Sequence, residues 1–199
     1  MKKIKTLVHA TVAAFALAAS ASAIAQVTLR LAHYAEATHP SNQAAMQFAQ
    51  KVEARTAGKV KVSIYPANAL GSPPDQLQQV KLGAIDMGLP TQGALDKYNK
   101  AFAVVMLPFV FEDLAHAHRV LDGPAMEWLA PIAEKDGFVM LSNWEYGFRN
   151  LTNSKRAILT PADVKGLKIR VPPEVQLEAA MEAAGAKATK IAFPELYMA

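Results

Sequence analysis

Apolar and polar side chains alternate from Val27 to Leu31 and again from Lys59 to Tyr65, where Val60, Val62 and Ile64 share one face. Alternation with a period of two marks a strand with one buried face. Between these strands, Ala45, Phe48, Ala49 and Val52 recur at helical spacing behind Pro40-Ser41, and Gly58 ends that helix. Ser72-Pro73-Pro74-Asp75 offers an N-cap followed by prolines in a first turn, so a second helix is expected there. Ile85 to Leu89 reads as a third, short buried strand. Strand, helix, strand, helix, strand is the order of a parallel sheet, because parallel neighbours need a crossover connection.

The second half repeats this logic. Phe102 to Phe111 is almost wholly apolar around Pro108, and Glu112 to Lys135 carries two helical segments parted by Asp122-Gly123-Pro124. Phe138 to Leu141 has the composition of a buried strand. After the polar link Asn150 to Lys155, Thr160-Pro161-Ala162-Asp163 starts a short helix that Gly166 stops. Leu167 to Val171 alternates as a strand, Pro172-Pro173-Glu174 opens a helix to about Ala184, and Lys187 to Ile191 is one more strand. The pattern predicts two α/β lobes with a connection near residues 147 to 155. The last residues, Leu196 to Ala199, fall inside a helix begun at Pro194.

The first residues change the picture of where the chain works. Lys2, Lys3 and Lys5 precede an apolar run from Leu7 to Ala19, and small residues recur at Ala21-Ser22-Ala23 and Ala23-Ile24-Ala25. This is the three-part layout of a secretory signal peptide, with cleavage expected after Ala25 and an alternative site after Ala23. The run, interrupted by His9 and Thr11, is shorter than the roughly 18 to 20 residues of a membrane span. Periplasmic location follows, with no membrane insertion of the mature chain.

The absence of cysteine excludes a lipoprotein anchor, a disulfide framework and thiolate metal sites. Charge adds little: 21 Lys and Arg face 17 Asp and Glu, and removing the three lysines of the leader leaves a nearly neutral chain. That balance does not call for nucleic acid.

Enzyme templates fail in turn. There is no phosphate-cradling glycine loop, no histidine pair at metal spacing and no nucleophile elbow, so neither catalytic residues, cofactor nor metal is expected. His116 and His118 stand two apart on a helix and read as solvated. His33, just past the first strand, is either a loop-stabilising residue or a ligand contact. Arg170 lies opposite Ile169 and Val171 near the C-terminal end of its strand, the end that borders ligand crevices in α/β folds. A guanidinium there offers two parallel N–H groups to a carboxylate; the alternative is a structural ion pair. Arg149, after Tyr146-Gly147-Phe148, is a second cleft cation or an exposed linker residue. Trp144, Tyr146 and Phe193 are cleft walls or core aromatics.

Several segments together resemble the DctP-type binding proteins of TRAP (tripartite ATP-independent periplasmic) transporters. They are Gly58-Lys59-Val60, Tyr65-Pro66 with Leu70-Gly71, Gly83 to Met87, Leu107-Pro108-Phe109, and Gly147-Phe148-Arg149 with Thr152-Asn153. They continue with Thr160 to Pro172 and Gly185-Ala186 before Phe193 to Tyr197. The resemblance implies a two-lobed periplasmic binding protein fold with a hinge, the first lobe at residues 26–147 and the second, incomplete in this chain, at 148–199. It implies a ligand carboxylate on Arg170, a second cleft arginine at Arg149, an aromatic wall at Phe193, and a variable contact loop that includes Thr91 and Gln92. The implied partners are a small organic acid and the membrane subunits of a TRAP permease. C4-dicarboxylates, sialic-acid-like sugar acids, keto acids and aromatic acids all stay open, as does a sensory role for the same module; an exported α/β hydrolase is the remaining rival. Family members are longer, so a truncated gene or a fragment is expected.

Overall fold

The computed structural model describes residues 26–198 apart from Tyr146. The segment 1–25 expected to be a signal peptide, Tyr146 and Ala199 therefore lie outside the described residues.

The first unit runs β1 (Val27–His33), α1 (Pro40–Arg55), β2 (Val60–Tyr65), α2 (Pro73–Lys81) and β3 (Met87–Leu89). The three strands form a parallel sheet in the order β2-β1-β3, with Leu29 beside Val62 and Leu31 beside Met87. β1 is central, and the chain leaves it first to one side and later to the other. Such a reversal opens a crevice at the C-terminal ends of the central strands, the common ligand position in open α/β sheets.

Local chemistry sets the helix ends. The Asp75 carboxylate receives the Ser72 backbone N–H at 2.9 Å and opens α2 behind its two prolines. Gly58, with φ +75°, supplies the left-handed residue that turns the chain from α1 into β2. The third strand is shorter than the apolar run Ile85–Leu89 because Asp86 takes the ladder position with its side chain. Its Oδ2 accepts the Arg30 backbone N–H at 2.7 Å.

Short 3₁₀ segments at Gln92–Lys97 and Lys100–Met106 follow, then α3 (Leu114–Leu121) and α4 (Pro124–Lys135). Here the strand expected at Phe138–Leu141 is not formed. Phe138 is buried and meets Tyr98 edge-on at 4.8 Å between ring centres, but the segment pairs with no strand among the described residues. A short apolar run reads alike whether it joins a ladder or only packs, and the ladder needs a neighbour.

The second unit begins with a 3₁₀ turn at Pro161–Val164, which Asp163 caps by accepting the Thr160 N–H at 2.8 Å. It continues with β4 (Lys168–Val171), α5 (Val175–Ala183), β5 (Lys187–Lys190) and a 3₁₀ segment at Phe193–Met198. β4 and β5 pair in parallel, Arg170 beside Thr189. The expected helix from Pro172 starts three residues later, because a residue before proline is held extended. Glu174 is its N-cap, with φ −125° and ψ 122°.

Apolar side chains of the first unit bury in two clusters. Leu31, Ala45 and Val62 pack with Phe48, Val52 and Trp144 under α1, and Leu77, Leu95, Phe102, Leu129 and Phe138 form a second cluster beneath α2 and α4. Ile169, Val171, Val164 and Leu167 make the core of the second unit with Leu177 and Met181 of α5. α5 also touches the 3₁₀ segments of the first unit, bringing the two sheets together.

Candidate functional site

The C-terminal ends of both sheets open into one cavity of about 160 Å³. From the first sheet come Tyr34, one residue past β1, and Thr91, two past β3. From the second come Arg170 on β4, Pro172-Pro173-Glu174 directly after it, and Ala192-Phe193 after β5. His39, Asn68, Pro73, Pro74, Ala94 and Arg149 complete the lining.

Arg170 is held from behind. Ile169 and Val171 are 7% and 4% exposed on the opposite face of β4, so the alternation sends Arg170 to the cavity side. Its Nε donates to the Ile191 carbonyl at 2.9 Å, and among the described residues neither terminal nitrogen makes a hydrogen bond. Burial and the neighbouring Arg149 charge pull the Arg170 guanidinium below its ordinary value, while Glu174 opposes them. Among the described residues Arg170 thus has no acid partner at ion-pair distance, and its half-buried guanidinium lines the cavity.

Glu174 is the residue the sequence pattern did not single out. Its side chain is 4% exposed, and Arg149 Nη2 lies 3.6 Å from its Oε1. The same oxygen accepts the Thr91 hydroxyl at 2.5 Å, and Oε2 accepts Gln176 Nε2 at 3.2 Å. Thr91 belongs to the first unit and Glu174 to the second, so this contact spans the two. Gly93 leaves the room for it: a Cβ there would sit 2.0 Å from Gln176 Nε2 and 2.7 Å from Glu174 Oε2. The sequence signal lay in position, since Glu174 follows the strand end that carries Arg170, but Pro-Pro-Glu also reads as an ordinary helix start.

One wall is aromatic. Phe193 meets Tyr34 and His39 edge-on, at 6.2 and 6.5 Å between ring centres. Burial raises the Tyr34 phenol pKa, Arg149 opposes this and Glu174 adds to it, so the hydroxyl stays a donor at neutral pH.

Of the residues singled out in sequence, Arg170, Arg149, Thr91 and Phe193 therefore share the cavity. Gln92 does not line it; its Nε2 donates to Asn143 Oδ1 beside the 3₁₀ segment. His33 is fully buried and does not line the cavity; its Nε2 lies 3.2 Å from Asn42 Oδ1. Trp144 packs on Phe48, ring centres 6.3 Å apart, and its indole N–H donates to Ser142. Tyr146 lies outside the described residues. His116 and His118 are remote from the cavity, His118 pairing with Glu145 at 3.0 Å.

Residues 31–199 match the model of a protein family described as DctP, bacterial extracellular solute-binding protein, family 7. The chain belongs to this family. Among relatives of this family-7 chain, the uncharacterized protein y4mM of Sinorhizobium fredii is 41% identical over 88% of the chain and 32% of its own length. The 2,3-diketo-L-gulonate-binding periplasmic protein YiaO of Escherichia coli K12 is 33% identical over 98% of the chain and 60% of its own length. A crystal structure of a TRAP periplasmic solute-binding protein from Sulfitobacter sp. NAS-14.1, with bound β-D-galacturonate, superposes with a TM-score of 0.81. It is 32% identical and covers 86% of this chain and 57% of that one. The family-7 chain thus has the α/β fold of TRAP periplasmic binding proteins and spans between a third and three fifths of the length of these relatives. Among the described residues, no helix is long and apolar enough to cross a membrane.

Proposed function

We propose that the chain is an extracytoplasmic receptor that captures a small organic acid and presents it to the membrane subunits of a TRAP-type permease, without performing chemistry on it. The observation that carries this reading is Arg170: a half-buried guanidinium at a strand end that lines the cavity, braced through Nε and with no hydrogen bond on its terminal nitrogens among the described residues. A carboxylate accepts two parallel N–H groups from such a fork, which adds orientation to charge. Arg149 supplies a second cation at the more exposed edge, Thr91 and Tyr34 supply hydroxyls, and Phe193 supplies an apolar wall.

In this reading residues 1–25 are removed on export, residues 26–147 form one lobe, and residues 148–199 begin the other. Thr91 from one unit and Arg170 and Glu174 from the other reach the same cavity, so a ligand bridging them favours the closed arrangement by its differential affinity. Relatives that bind 2,3-diketo-L-gulonate and β-D-galacturonate support an acid as the solute.

A thermal-shift screen of the purified chain against small carboxylates and their neutral alcohol or amide counterparts tests the reading. A ligand that binds only the native state adds about 2.7 kcal/mol of stability at a hundred times its Kd. Stabilisation by acids and not by their neutral counterparts is expected. Equal shifts from both, or none from any acid, would overturn it.

A further inference from the structure

Among the described residues that line the cavity, Arg149, Arg170 and Glu174 carry charge, and the last of these is what the receptor reading leaves unused. Two guanidiniums, Arg149 and Arg170, face one carboxylate, Glu174, within a single small space. The chain invests structure in keeping that carboxylate there. It is almost wholly buried, receives hydrogen bonds from Thr91 and Gln176, and occupies room that exists only because residue 93 is glycine. A buried acid so close to an anion-binding arginine weakens anion capture in general, so its presence restricts which anions enter.

We propose that Glu174 makes this cavity select acids with one carboxylate and hydroxyl groups, and reject dicarboxylates of the same length. This rests on the organic-acid reading above. Among the described lining residues Glu174 offsets the charge of Arg149, which leaves Arg170 as the cation for a single ligand carboxylate. A second ligand carboxylate in the same space meets a like charge that cannot move into water, and specificity arises from that repulsion as much as from attraction. The same group recognises alcohols. An ionised carboxylate only accepts, with about four acceptor directions. Thr91 and Gln176 each fill one of them, on different oxygens, which leaves acceptor capacity for a ligand hydroxyl. The ligand class is therefore a polyhydroxylated monocarboxylic acid.

Matched pairs that differ at one terminal carbon separate the possibilities: D-gluconate against D-glucarate, and threonate against tartrate, titrated calorimetrically into the purified chain. The monocarboxylate of each pair is expected to bind at least about tenfold more tightly, a difference of about 1.4 kcal/mol. Glu174→Gln keeps the size and most of the hydrogen bonds and removes the charge. In that variant the preference should shrink about tenfold or reverse, with dicarboxylate affinity rising more than hydroxy-acid affinity. A merely structural role for Glu174 lowers both affinities together and leaves their ratio unchanged. That result, or dicarboxylates binding the unaltered chain as tightly as their partners, overturns the proposal while the receptor reading stands. If no acid of either kind binds, both fall.

Discussion

Replacing Arg170 by alanine is the perturbation that most directly separates a ligand anchor from a scaffold residue. With Arg170 gone, Arg149 lies 3.6 Å from the Glu174 carboxylate, and among the described lining residues no cation without a neighbouring acid remains for an anion. Truncating one partner of a desolvated, hydrogen-bonded charge pair costs on the order of 2 to 5 kcal/mol. That is roughly 30-fold to several thousand-fold in affinity for a carboxylate ligand. Arg170 is only half-buried, which argues for the lower part of that range. The fold loses one interaction, the hydrogen bond from Nε to the Ile191 carbonyl that ties β4 to the end of β5. A bond from a charged donor contributes about 1.5 to 3 kcal/mol, and release of the repulsion with Arg149 offsets part of it. Urea unfolding should therefore show a folded, modestly destabilised variant, while calorimetry shows the large loss of binding. Arg170→Lys should recover only part of the affinity, since an ammonium keeps the charge without the two-pronged geometry. Normal carboxylate binding by Arg170→Ala, or a variant that does not fold, would refute the anchor and return Arg170 to the scaffold.

Gly93→Ala should weaken both stability and ligand binding, because the added methyl group collides with the buried side chains of Gln176 and Glu174; overpacking of this kind costs about 1 to 3 kcal/mol in urea unfolding. His33 carries a pH dependence whose sign is fixed: burial holds its pKa below the ordinary 6.5, so below that pH the unfolded chain takes up a proton the folded chain refuses. Stability should thus be lost as pH falls through and below 6.5, and chemical denaturation of His33→Gln should show a shallower loss. Intact-mass measurement of periplasmic material should find a chain beginning at Gln26; a species beginning at Met1 would refute export with cleavage.

Much of this protein is legible in its sequence because its informative features are local. Alternation at Val60, Val62 and Ile64 and helical spacing at Ala45, Phe48, Ala49 and Val52 report burial on one face, and burial on one face is what makes those elements form. The same logic places Arg170 opposite two buried neighbours, Ile169 and Val171. Phe138–Leu141 failed as a strand because a ladder depends on a partner elsewhere in the chain, which no local pattern contains. The pairing of Thr91 with Glu174 and the need for glycine at position 93 join residues far apart in sequence, and only the packing of α5 against the first unit brings them together. The cations of the cavity could be read from the order of residues along one strand and one loop. The acid that balances them, and with it the character of the site, was decided by tertiary structure, because charge balance is a property of a shared space and not of a segment.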